Sequence, residues 1–80
     1  MRPFASAVAQ DAVGQAVDRL RLSGALSVTP PELFVAASDA AWDAGLMLSQ
    51  ADVWQAVYEW AGFDYDNPPP DDTAMSLREG

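Results

Sequence analysis

The sequence predicts an all-α fold, a small three-helix bundle followed by an acidic, proline-rich C-terminal tail. Three observations carry this expectation. Fifteen of the 80 residues are alanine, isoleucine is absent, and valine is the only β-branched residue present in number, a balance that favours helix over sheet. Apolar residues recur at helical spacing in three segments, each followed by a glycine: Gly24, Gly45 and Gly62. Beyond Gly62 the chain changes to Asp, Asn and aromatic residues around Pro68, Pro69 and Pro70, which favour polyproline II and forbid a continuing helix.

The first helix is expected over about residues 5–22. At about 100° per residue, Ala9, Val13, Ala16, Val17 and Leu20 share one side, with Asp11, Gln15, Asp18 and Arg19 on the other. Gly14 falls on the polar side, where it costs up to about 1 kcal/mol relative to alanine but obstructs no packing. Gly24 suits the helix exit, and Arg19 and Arg21 stand against the negative end of the helix dipole.

The second helix, over about 30–44, has the stronger start. Thr29 is placed as N-cap, Pro30 occupies the first helical position where its missing donor costs little, and Glu32 completes a capping box. The third, over about 50–61, opens on Ser49 with Asp52 in place of the glutamate. These two segments read as loosely similar helical units, too few for a repeat array. The expected organisation is a helical domain over residues 1–66 and an extended or mobile acidic tail over 67–80. A turn of helix starting at Asp72 is too short to be more than marginal.

Length and composition narrow the chemistry. A chain this short buries only about 60–65% of the surface its unfolded form exposes, which allows one modest core. Half the residues are apolar and a fifth charged, as in folded domains. There is no Lys, His or Cys, so Cys/His zinc sites, disulfides, thiol nucleophiles, histidine bases and Schiff-base lysines are excluded. Asp39 and Asp43 stand one turn apart, and Asp64-x-Asp66 is similar to the opening of a calcium loop. Pro69 then occupies the position that needs glycine, and Met75 the one that needs a bidentate glutamate. No phosphate-binding loop, dinucleotide fingerprint or serine elbow is present. The expectation is a protein that is not an enzyme and holds no metal or cofactor.

Ser6, Gln10 and Asp11 interrupt the start of the chain, so no signal peptide is expected, and no apolar run approaches the length of a membrane span. The absence of cysteine is compatible with a reducing cytoplasm. Abundant alanine and arginine beside zero lysine points to a GC-rich bacterial or phage source.

Charge is distributed unevenly. Twelve acidic residues against four arginines give a net charge of −8. Residues 1–30 hold two acids and three arginines, whereas residues 22–77 hold nine acids and no cation. Direct binding to nucleic acid or to an anionic membrane lacks its basic footprint, while a basic partner protein would be attracted. A merely solubilising or halophilic surface accounts for the same count.

The apolar residues of the second helix do not form one stripe. Leu33, Phe34, Ala37, Ala40, Ala41 and Ala44 make a core face, while Val35 and Trp42 stand opposite, beside Asp39 and Asp43. Two accounts of Trp42 remain open here: residues 25–28 or 46–48 fold over it, or it meets a second copy or another protein. Trp54 and Trp60 are expected in the core, since an alanine-rich core needs large side chains to fill it. Phe63 and Tyr65 are placed to pin the tail to the bundle, and Tyr65 is also a candidate interface anchor.

A small, helical, strongly acidic chain without catalytic groups resembles the phage-encoded inhibitors of the anti-CRISPR and anti-restriction kind, several of which are similar to DNA in charge. The resemblance is one of size and charge and involves no diagnostic motif. It implies that Glu32, Asp39, Asp43, Asp52, Glu59, Asp64, Asp66, Asp71 and Asp72 take the place of phosphates on a basic, nucleic-acid-binding surface of a host defence complex, with Val35, Trp42 and Tyr65 adding apolar anchors. A CRISPR effector complex, met in the host cytoplasm, is the expected target. The alternative is a phage assembly chaperone, adaptor or antitoxin that uses the apolar Val35/Trp42 face, which also suits a homodimer.

Overall fold

A computed structural model describes residues 5–64 and 66–77. It contains three helices, α1 (Ala7–Leu22), α2 (Pro30–Asp43) and α3 (Gln50–Ala61), and two short strands, β1 (Ser27–Val28) and β2 (Met75–Ser76). The strands pair antiparallel, Ser27 opposite Ser76 and Val28 opposite Met75.

Each helix begins where a hydroxyl can accept an orphan backbone N–H. The Ser6 hydroxyl accepts from Ala9 N–H at 3.1 Å, and that of Ser49 from Asp52 N–H at 3.2 Å. At α2 the whole capping box forms: Thr29 N–H donates to Glu32 Oε1 at 2.9 Å, and Glu32 N–H donates back to Thr29 Oγ1 at 3.4 Å. The α3 exit uses Gly62 at φ 83°, a left-handed conformation that a Cβ would strain.

Inward faces follow the periodicity. Ala9, Val13, Ala16 and Val17 of α1, Leu33, Ala37 and Ala40 of α2, and Val53, Ala56 and Val57 of α3 are all buried. The many alanines let the helices approach closely but leave little side-chain volume to fill the centre. Phe34, packed against this core, stacks on Trp54 across α2 and α3, with ring centroids 4.3 Å apart and planes 12° from parallel.

Further volume comes from the C-terminal segment, and here the structure departs from the expected tail. Met75 and Leu77 are part of the core. Leu77 is only 1% exposed and Met75 is buried opposite Val28. Leu77 N–H donates to the Leu26 carbonyl at 3.1 Å, and Arg21 Nε–H donates to the Leu77 carbonyl. The physical reason is volume: an alanine-lined interior is closed by a leucine and a methionine brought back from beyond the prolines. Met75 in, Ser76 out and Leu77 in is the alternation of a strand.

Two further differences concern aromatic residues. Neither tryptophan expected in the core is part of it: Trp54 is half-buried, stacked on Phe34 beside the core, and Trp60 sits at the surface, 36% exposed. Its position carries it past the contact with α1 to the boundary between two surface clefts. Phe63 does pack on the core, whereas Tyr65 lies outside the described residues. No helix among the described residues is long and apolar enough to cross a membrane.

Candidate functional site

The nine carboxylates expected on the partner-binding surface fall into distinct groups. Asp52 and Glu59, seven residues apart on α3, are engaged within the fold. Asp52 Oδ1 accepts Ser6 N–H at 3.0 Å, and its Oδ2 accepts the Ser6 hydroxyl at 2.5 Å. Glu59 Oε2 accepts Ala5 N–H at 2.8 Å and Gln55 Nε2–H at 3.3 Å, while Oε1 accepts Gln10 Nε2–H at 3.2 Å. Together they hold the entry of α1 against α3, satisfying donors that a helix start leaves open.

Glu32 and Asp43 are also committed. The backbone N–H of Thr29 and then its hydroxyl hold the Glu32 carboxyl below its ordinary pKa, because both donate to the charged form. Asp43 pairs with Arg19 of α1, Nη1 to Oδ2 at 3.1 Å. Counting charges along residues 22–77 gives no cation, but the fold brings one across from α1. That pair also takes Asp43 away from the Asp39/Asp43 cation site that helical spacing allowed. Among the described residues, no group of three or more His, Cys, Asp or Glu is placed to hold a metal ion.

The remaining acids lie at the surface. Asp39, Asp64, Asp66, Asp71 and Asp72 are exposed. Asp66 has an interaction of its own, while the side chains of Asp39, Asp64, Asp71 and Asp72 bond to no other described residue. Four of these five belong to the irregular segment around the prolines. Asp39 alone stands on a helix, and it stands between two exposed apolar residues.

Those residues are Val35, 57% exposed, and Trp42, 75% exposed. They lie seven residues apart on α2, about 10 Å along its axis, with Asp39 one turn from each. Neither segment that could have covered Trp42 does so: Leu26 in the first connector and Met47 in the second are themselves strongly exposed. One stripe of α2 therefore presents an apolar residue, a carboxylate and an indole in sequence. An exposed tryptophan on a rigid helix is the side-chain type that most often anchors a protein interface.

Trp60 marks a second apolar region that the sequence did not reveal. It forms a wall common to two open clefts. One, of about 380 Å³, is lined with Gln10, Val13, Ala56 and Glu59; the other, of about 350 Å³, with Phe63 and residues 73–76. Val53, Trp54, Val57, Trp60 and Ala61 give α3 an apolar arc wider than α1 and α2 cover, and that width was the available signal. No protein-family model matches the chain, and no curated protein or solved structure matches it.

Proposed function

We propose that this protein is a non-enzymatic binding protein that inhibits its target by covering a basic surface of it, and that the outer face of α2 makes the contact. The observation that carries this reading is Trp42, exposed beside Val35 on a well-capped helix and covered by no other described part of the chain. Burying these two side chains in a partner supplies affinity, and the charge of −8 supplies attraction toward a basic surface. A surface that ordinarily holds nucleic acid has that chemistry, which supports an inhibitor of the anti-CRISPR type acting by occlusion. The mimicry it implies is narrower than a full acidic coat. Asp52, Glu59, Glu32 and Asp43 have partners within the fold, so of the nine carboxylates Asp39 on α2 and Asp64, Asp71 and Asp72 near the prolines are the exposed ones most open to an outside cation.

The same face supports a second reading, an assembly adaptor or antitoxin that shields an apolar surface. The two differ in what binding requires. Affinity capture from a bacterial lysate is compared for the wild type, a Trp42→Ala/Val35→Ala pair and an Asp71→Asn/Asp72→Asn pair, at low and high salt. An inhibitor on a basic surface loses its partner in the first variant and, for all forms, at high salt. Capture that survives salt but not Trp42→Ala favours the adaptor. Capture indifferent to Trp42 and Val35 removes the α2 face from both readings.

A further inference from the structure

The α2 stripe places Asp39 between its two apolar anchors, and this restricts what can cover it. Val35 and Asp39 are four residues apart, and Asp39 and Trp42 three, so all three lie on one exposed strip of helix. A partner that touches both Val35 and Trp42 must pass over Asp39 and strip water from it. A buried carboxylate is tolerated only when paired and hydrogen-bonded. Among the described residues Asp39 has no such pair, and Arg19 of α1 is held by Asp43 one turn on.

From this juxtaposition we infer that the α2 face is a docking site for a helical segment of another protein that carries an arginine flanked by apolar residues, the guanidinium seated on Asp39 between Val35 and Trp42. This rests on the α2 face being the contact surface and adds the identity of the complementary group. Arginine fits better than lysine, because its planar guanidinium can donate two hydrogen bonds to Asp39 while its face lies on the Trp42 indole. A second copy of the chain does not fit. A two-fold contact through this stripe sets Asp39 near its own counterpart and brings together two chains of charge −8. Asp39 thus both selects a basic segment and opposes self-association.

The test uses a displayed library of single-helix peptides, randomised over one face, selected in parallel against the wild type and against Asp39→Arg. Both proteins are first checked for equal helicity by circular dichroism. Peptides selected on the wild type are expected to carry a central arginine between apolar or aromatic residues. They should bind at least about tenfold more weakly to Asp39→Arg and also to Trp42→Ala, whereas the Asp39→Arg selection yields acidic peptides. Peptides that need Trp42 but bind Asp39→Arg equally well overturn the arginine assignment and leave the α2 face in place. Peptides indifferent to both substitutions overturn the face itself. Sedimentation of the wild type as a dimer that Trp42→Ala dissociates assigns the stripe to a second copy and also overturns the inference.

Discussion

Asp52 receives both hydrogens that Ser6 can offer, the backbone N–H at 3.0 Å and the hydroxyl at 2.5 Å, while the same Ser6 hydroxyl oxygen caps Ala9 N–H. A residue at the start of α3 thereby fixes the residue that starts α1. A carboxylate that sequence alone assigns to a partner surface also tethers two helices within the fold. Asp52→Ala is expected to lower stability by about 1–2 kcal/mol, through loss of a charge-assisted pair at a helix cap. A double-mutant cycle with Ser6→Ala, read by urea denaturation, should return a favourable coupling; purely additive effects would show that the two residues act separately.

The C-terminal segment should behave as core. Leu77→Ala is expected to cost about 2–4 kcal/mol, the range for removing a buried leucine side chain, and Ser76→Ala at the neighbouring exposed position much less. Chemical denaturation of the two variants separates a packed strand from a tail, for which both substitutions would be silent.

Glu32 gives a pH signature. Its folded pKa lies below the ordinary value of 4.5, because Thr29 donates backbone and hydroxyl hydrogen bonds to the charged form. A depressed carboxylate contributes stability that is present above the unfolded pKa and is lost as pH falls through the folded one. The stability difference between wild type and Glu32→Gln should therefore be present at neutral pH and shrink below pH 4.5. Melting curves taken across that window check it, and a difference that grows on acidification would reverse the sign.

The tryptophans should separate structure from surface. Trp54→Ala removes the ring stacked on Phe34 and near Tyr58, and is expected to cost about 2–4 kcal/mol. Trp42→Ala should change stability by no more than about 0.5 kcal/mol, as for other exposed positions. With the other two tryptophans replaced by phenylalanine, acrylamide should quench Trp42 strongly and Trp54 weakly. Quenching of Trp42 as weak as that of Trp54 would mean that the α2 face is covered.

What was legible in the sequence was local. The Thr29–Glu32 box lies within one helical turn and needs only helix geometry, so its pattern announces it, as the helical spacing of Ala9, Val13, Ala16 and Val17 announces the inward face of α1. Ser6 with Asp52 and Arg19 with Asp43 join residues 46 and 24 positions apart. Nothing in either partner's neighbourhood points to the other, so their acids look unpaired until the helices are packed. Residues 75–77 carry a strand's alternation, but over too few positions to stand out, and behind three prolines that suggest an unpacked chain. The exposed α2 face was legible because Val35 and Trp42 fall outside the helical stripe. Only the fold could settle that neither connector crosses Trp42.

The central claim, that α2 meets its partner through Trp42, is tested most directly by site-specific photo-crosslinking in a bacterial cell that holds the partner. A benzophenone side chain is placed at position 42 in one form and at position 72 in another. Cross-linking at 42 to a distinct polypeptide, suppressed by Asp39→Arg, is the predicted result. Cross-linking at 72 without any at 42, or at 42 only to a second copy of the chain, would contradict it.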